Sequence, residues 1–139
     1  LEQLDQLVEN IPPQAQRLME RFWPGALTLV LPKQAHLPSE LTPYPGLAVR
    51  MPNHPFALEL LQALGPLAVT SANLSDQTNP QTAQEVYTQL AGRVDLILDG
   101  GKLKIGQAST IVDCTGAEPM LLRAGPIPFE TLLQAWQNE

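Results

Sequence analysis

The stretch PLAVTSANLS, residues 66–75, decides how this chain is read. Pro66 to Thr70 has the composition of a short buried strand. The run then breaks into Ser71, Ala72, Asn73 and Ser75, small and polar groups placed where a parallel strand would end. In open α/β sheets ligands settle just beyond the carboxyl ends of the strands. Small residues there let a ligand approach the backbone, and hydroxyl and amide groups supply directed hydrogen bonds. A Ser/Asn-rich turn after a strand has the same composition, so the stretch by itself leaves both readings open.

Working outward, Leu47 to Met51 reads as a strand ended by Pro52. Asn53 is the expected cap of a helix whose apolar stripe is Phe56, Ala57, Leu60, Leu61 and Leu64, with Gly65 as its stop. Further upstream, residues 32–46 hold four prolines and read as a surface loop. Ala26 to Leu31, with β-branched Thr28 and Val30, is an expected buried strand. Trp23-Pro24-Gly25 is a turn, and Gln14 to Phe22 is a helix with Ala15, Leu18, Met19 and Phe22 on one face. Leu1, Leu4, Leu7 and Val8 share a helical face, so residues 1–10 are expected to form a helix closed by Pro12-Pro13. That pattern is already under way at Leu1, without an initiator Met. The expectation is therefore a chain that lacks an upstream portion.

Downstream of residue 75, Thr82 and Glu85 form a capping box for the next helix. Val94 to Leu98, Ser109 to Asp113 and Met120 to Arg123 read as strands, the last two joined tightly at Thr115-Gly116. Phe129 to Gln137 is a closing helix. Helices alternating with apolar strands give an α/β fold with a mixed parallel and antiparallel sheet. No repeat or linker divides the chain, so residues 1–139 are expected to form one domain.

Composition narrows the function. The net charge is −6, which argues against broad, charge-driven nucleic-acid binding. Arg50, Lys102, Lys104 and Arg123 could still be gathered into a local basic patch. Cys114 is the only cysteine, which excludes an internal disulfide and a cysteine-rich metal site. No apolar run reaches the ~18 residues of a membrane span, and the acidic, amphipathic start differs from a signal peptide. The expected compartment is a reducing cytoplasm.

Candidate site residues cluster at the expected strand ends. Arg50 interrupts the apolar LAVRMP and Arg123 closes the apolar MLLR before Gly-Pro. A guanidinium in such a setting needs a partner. That partner is either a structural carboxylate or an anionic ligand gripped by the two-point fork. Ser71 with Asn73, and Ser109 with Thr110, also stand at or near expected strand ends. The run Lys102-Leu103-Lys104-Ile105-Gly106-Gln107 is either a cationic loop over a phosphate or a solvated hairpin tip. Neither GxxxxGK[ST] nor GxGxxG occurs. His54 reads as a solvated first-turn histidine, His36 as a loop residue, and Cys114 as a small core residue. No Ser-His-Asp order or carboxylate pair stands out.

Six blocks taken together resemble the YrdC-type L-threonylcarbamoyladenylate synthases. They are RFWPGALTLVLP (21–32), LAVRMPNHPFALELL (47–61), PLAVTSANLS (66–75), RVDLILDGG (93–101), ASTIVDCTG (108–116) and LLRAGPI (121–127). The resemblance implies a twisted mixed parallel/antiparallel sheet flanked by helices, YrdC-like and related to the dihydroxybutanone-phosphate synthase architecture, incomplete at the N-terminus. It implies conversion of L-threonine, bicarbonate and ATP to threonylcarbamoyl-AMP and pyrophosphate, with Mg2+ on the departing pyrophosphate, for the threonylcarbamoyladenosine modification of tRNA. Implied partners are downstream threonylcarbamoyl transferase proteins and tRNA or double-stranded RNA. By the same resemblance Arg50, Ser71 and Ser109 hold L-threonine, while Asn73 and Arg123 face ATP. Gln81 stands where many relatives place a nucleotide-contacting Thr, and no residue is assigned covalent catalysis. The family's upstream Lys-x-Arg motif does not occur here. Its absence implies a reduced cationic wall and an exposed sheet edge open to pairing, for example in a homodimer. Two alternatives accompany the enzyme: a non-catalytic module that binds nucleotide or double-stranded RNA, and an inactive fragment.

Overall fold

The computed structural model describes residues 2–103 and 108–138. Two compact units are resolved, one formed by Leu1–Leu67 with Gln107–Glu139 and the other by Ala68–Gly106.

The first unit is built on a four-stranded sheet. Its strands are β1 (Leu27–Pro32), β2 (Gly46–Val49), β3 (Thr110–Asp113) and β4 (Met120–Arg123), in the order β2-β1-β3-β4. β1 runs parallel to β3, and both edge pairs, β1 with β2 and β3 with β4, are antiparallel. The mixed α/β sheet expected from the alternation of elements is therefore present. Leu27, Leu29 and Leu31 alternate along β1 and are fully buried, as are Val112 and Cys114 beyond them. Against this face pack α1 (Pro13–Phe22), through Ala15, Leu18 and Met19, and α4 (Phe129–Gln137), through Leu132, Ala135 and Trp136. Each fully buried leucine stabilises the fold by about 1.5–3 kcal/mol relative to an exposed one. The Arg17 guanidinium ties the two helices by donating to the Trp136 carbonyl at 2.6 Å.

Several elements differ from the sequence expectation. Residues 1–10 do not form a helix among the described residues. Leu4–Gln6 is a single 3-10 turn, and Val8 instead pairs as an isolated bridge with Lys33 and is buried. The turn at Asn10 adopts φ 50°, and the prolines that follow end the segment, so burial of Val8 prevails over helical periodicity. α2 (Pro55–Leu64) is capped by His54 rather than Asn53: its Nδ1 accepts from Ala57 N at 3.4 Å. Proline at the first helical position fixes the cap one residue before it. None of the residues of α2 is buried.

The second unit contains α3 (Ala83–Leu90). Thr82 Oγ1 accepts from Glu85 N at 3.2 Å, and Glu85 Oε2 accepts from Gln81 N at 2.8 Å, the capping box with its return bond displaced by one residue. The strands expected at 66–70 and 94–98 are not strands. Neither run is paired among the described residues, and Val69 and Leu96 are 86% and 71% exposed. Their composition suits a pleated, half-buried surface, but a strand exists only through a hydrogen-bonded neighbour. Of the run Lys102–Gln107, residues 104–107 lie outside the described residues; Lys102 and Leu103 are exposed.

Candidate functional site

The topology gathers four side chains at one margin of the sheet. β1 and β3 begin there because they are parallel; β2 and β4 end there because they run the other way. Arg50 follows the last residue of β2, Thr28 is the second residue of β1, Ser109 immediately precedes β3, and Arg123 closes β4. In register, Thr28 faces Ile111 and Ile111 faces Arg123, so these residues share the sheet face opposite Leu27 and Leu29. These side chains do not stand beyond the carboxyl ends of the parallel strands. This margin holds the amino ends of the two parallel strands, with the arginines supplied by the carboxyl ends of their antiparallel neighbours.

The arginines are held by carbonyls. Arg50 Nε donates to the Gly25 carbonyl at 2.8 Å, and Gly25 N donates to the Met51 carbonyl at 2.9 Å, which fastens the residues around Arg50 to the turn before β1. A Cβ on Gly25 would meet the Phe22 carbonyl oxygen at 2.2 Å, so only glycine fits there. Arg123 Nε donates to the Ser109 carbonyl at 3.0 Å and its Nη2 to Ser109 Oγ at 3.1 Å. Gly125 permits this approach, since a Cβ there would lie 2.3 Å from Thr110 N. Among the described residues neither guanidinium pairs with a carboxylate. The structural ion pair left open by the sequence is not what holds Arg50.

Arg50 is an exposed residue, yet its pKa lies below the ordinary value. Partial burial of the guanidinium is the larger cause, and the charge of Arg123 adds to it. The margin thus carries two cationic side chains with no carboxylate partner among the described residues, a setting that favours an anion. A carboxylate or phosphate there would gain two charge-assisted donors and a hydroxyl.

Thr28 was legible only as a strand former. Its Oγ1 lies 2.7 Å from Ser109 Oγ, and both residues are nearly buried, at 9% and 5% exposure. The available signal was a lone hydroxyl in an otherwise apolar strand. Thr110 serves structure, donating to the Ile127 carbonyl at 2.9 Å and accepting from Ile127 N at 3.1 Å.

Ser71, Asn73 and Gln81 belong to the second unit. Ser71 is exposed. Asn73 Nδ2 donates to the carbonyls of Leu74 and Gln77 at 2.9 and 3.0 Å and so closes its own loop. That leaves Asn73 Oδ1 buried with no partner among the described residues. The Gln81 carbonyl accepts from Leu103 N at 2.9 Å. No group of His, Cys, Asp and Glu suited to a metal ion occurs among the described residues, and no helix there is long and apolar enough to cross a membrane. His54 is an exposed cap, as noted, and His36 is exposed.

A mixed α/β sheet with two arginines at one margin is the class that fold and site define. Comparison with known proteins places it further. Residues 1–125 match the Sua5/YciO/YrdC family model, described as "Telomere recombination", and the chain belongs to that family. It is 44% identical over 133 residues to the threonylcarbamoyl-AMP synthase of Pyrococcus abyssi, an alignment covering 94% of this chain and 39% of the relative. It is also 44% identical over 138 residues to the threonylcarbamoyl-AMP synthase of Bacillus subtilis, covering 95% of this chain and 39% of the relative. Among solved structures, P. abyssi Sua5 complexed with L-threonine superposes with a TM-score of 0.91 at 42% identity, covering 97% of this chain and 40% of that one. The chain thus spans about two-fifths of the length of these relatives.

Proposed function

We propose that this chain carries the threonine- and nucleotide-binding part of an L-threonylcarbamoyladenylate synthase. The observation that supports it most is the pair of guanidiniums at one sheet margin, Arg123 bonded to Ser109 and Arg50 to the Gly25 carbonyl, neither with a carboxylate partner among the described residues, in a family with a member solved in complex with L-threonine. In this reading residues 1–139 are one YrdC-like domain with two compact units.

The reaction joins L-threonine, bicarbonate and ATP: the threonine amine and bicarbonate first condense to N-carboxythreonine, forming the N–C bond as water leaves. A carbamate oxygen of N-carboxythreonine attacks the α-phosphorus, the new O–P bond forms as the bond to the β,γ-phosphates breaks, and pyrophosphate leaves. Arg50 receives the amino-acid carboxylate, with Ser109 as a hydroxyl partner; in the second unit, Ser71 is also assigned to L-threonine. Arg123 is assigned to the phosphates; in the second unit, Asn73 and Gln81 are assigned to the nucleotide. Mg2+ enters as part of the nucleotide substrate, bound chiefly to phosphate oxygens and water. Catalysis is positioning and charge stabilisation rather than covalent attack. The product serves tRNA modification in the cytoplasm.

Calorimetric titration tests the assignment. Arg50→Ala weakens L-threonine binding and Arg123→Ala weakens ATP binding, each by about 1.5–3 kcal/mol, the range for a hydrogen bond to a charged group. Unchanged affinities in both variants remove the two roles. Pyrophosphate release by the 139 residues alone is expected to be small, because the sequence holds no Lys-x-Arg motif of the kind the family resemblance assigns to nucleotide and carbamate.

A further inference from the structure

We propose that Thr28 is a positioning residue that sets the direction in which Ser109 offers its proton. The inference rests on reading the arginine margin as the L-threonine site.

A serine hydroxyl has one proton to give and two lone pairs to receive. Arg123 occupies one lone pair of Ser109, since a guanidinium only donates and its Nη2 stands 3.1 Å from Ser109 Oγ. The remaining neighbour is Thr28 Oγ1 at 2.7 Å, a distance that requires one of the two hydroxyls to donate to the other. If Ser109 donated to Thr28, two things would follow. The Ser109 proton would be turned away from the margin, and the nearly buried Thr28 hydroxyl would have to find another acceptor, although Ser109 is its one hydrogen-bond partner among the described residues. Leaving a buried donor unmade is costly. With Thr28 as donor, both lone pairs of Ser109 are filled, by Arg123 and by Thr28, and its proton is left for a ligand acceptor. Donation from two sides also polarises that O–H, so the bond it makes outward is strengthened.

Backbone geometry holds the pair in place. Thr110 N donates to the Ala26 carbonyl at 3.0 Å, which locks the start of β3 beside the start of β1. Thr28 is therefore fixed by sheet register and needs no ligand to bring it to Ser109. A Val would fill the same space and keep the strand, but it would supply no proton. Ser109 would then point its hydroxyl wherever solvent or the backbone drew it, and the ligand would meet an unprepared partner.

The test is L-threonine titration of the 139-residue protein and its Thr28→Val, Thr28→Ser, Ser109→Ala and Thr28→Val/Ser109→Ala variants, with thermal unfolding of each. Thr28→Val should weaken L-threonine binding by about 3- to 10-fold, the range of one net hydrogen bond. Thr28→Ser should restore it to within about twofold. In the Ser109→Ala background Thr28→Val should add nothing. Wild-type affinity in Thr28→Val overturns the proposal. So does an equal loss from Thr28→Val with and without Ser109, since that marks a packing effect. Thr28→Ala replaces the valine variant if the latter unfolds. Inorganic pyrophosphate, titrated in parallel, separates the two levels. If it binds with the same Thr28 dependence while L-threonine does not bind, the threonine reading falls and the positioning role stands. If neither ligand binds, both fall.

Discussion

Leu29 and Val69 sit in apolar runs of similar character, LTLVLP and PLAVT, and they meet opposite fates. Leu29 lies between Val49 on one side and Val112 on the other and is fully buried beneath α1 and α4. Val69 has no paired neighbour among the described residues and is 86% exposed. The contrast extends to their units. The first carries a hydrophobic core under a four-stranded sheet; the second, among the described residues, carries one helix and no paired strand. Apolar composition is necessary for a strand, but the ladder and the covering layer decide whether one forms.

The largest expected effect tests the first side of that contrast. Leu29→Ala should cost about 2–5 kcal/mol in denaturant unfolding, as for a buried leucine whose cavity cannot collapse. Next is a pH effect from the same core. Burial, with Asp113 adding to it, pushes the Cys114 thiol from 9.0 up to about 12. The folded state favours the protonated thiol, so this contribution is intact below about pH 9 and is lost as pH rises towards 12. Thermal unfolding should show an alkaline decline of a few kcal/mol across that window, and Cys114→Ala should flatten it; an unchanged slope in the variant would refute the assignment. A smaller loss, about 1–3 kcal/mol, is expected for Gly125→Ala, where the added methyl must push against the Thr110 backbone. Smallest is Val69→Ala, within about 0.5 kcal/mol of wild type. If Val69→Ala were as costly as Leu29→Ala, the comparison would break.

Much of the first unit was legible from residues alone. β4 and α4 fall where MLLR and the Phe129 helix were expected, because edge strand and closing helix are bounded by clear signals: Gly-Pro after one and Pro before the other. Leu27, Leu29 and Leu31 were readable as core from their setting, and Cys114 as a small buried residue. The failures came where local pattern met a distant partner. The face of Leu4, Leu7 and Val8 has helical spacing, yet Val8 is claimed by Lys33 across the chain. At the site, Arg50, Ser109 and Arg123 were visible as polar breaks in apolar strands, and the structure brings these three to one margin. What could not be read was the identity of their partners. The carbonyls of Gly25 and Ser109, and the hydroxyl of Thr28, depend on strand order, and strand order is not a local property.

That strand order also governs when the margin can exist. The Thr28–Ser109 contact joins positions 81 apart, and the Arg17–Trp136 clasp joins positions 119 apart. Contacts of such separation are made late and slowly, after the entropy of closing a long loop has been met. On a ribosome the leucine-rich β1 is synthesised well before β3, the strand it must lie against. For that interval its apolar edge is bare, so a nascent chain paused before residue 110 should be the species most prone to capture by chaperones or by its neighbours on the polysome.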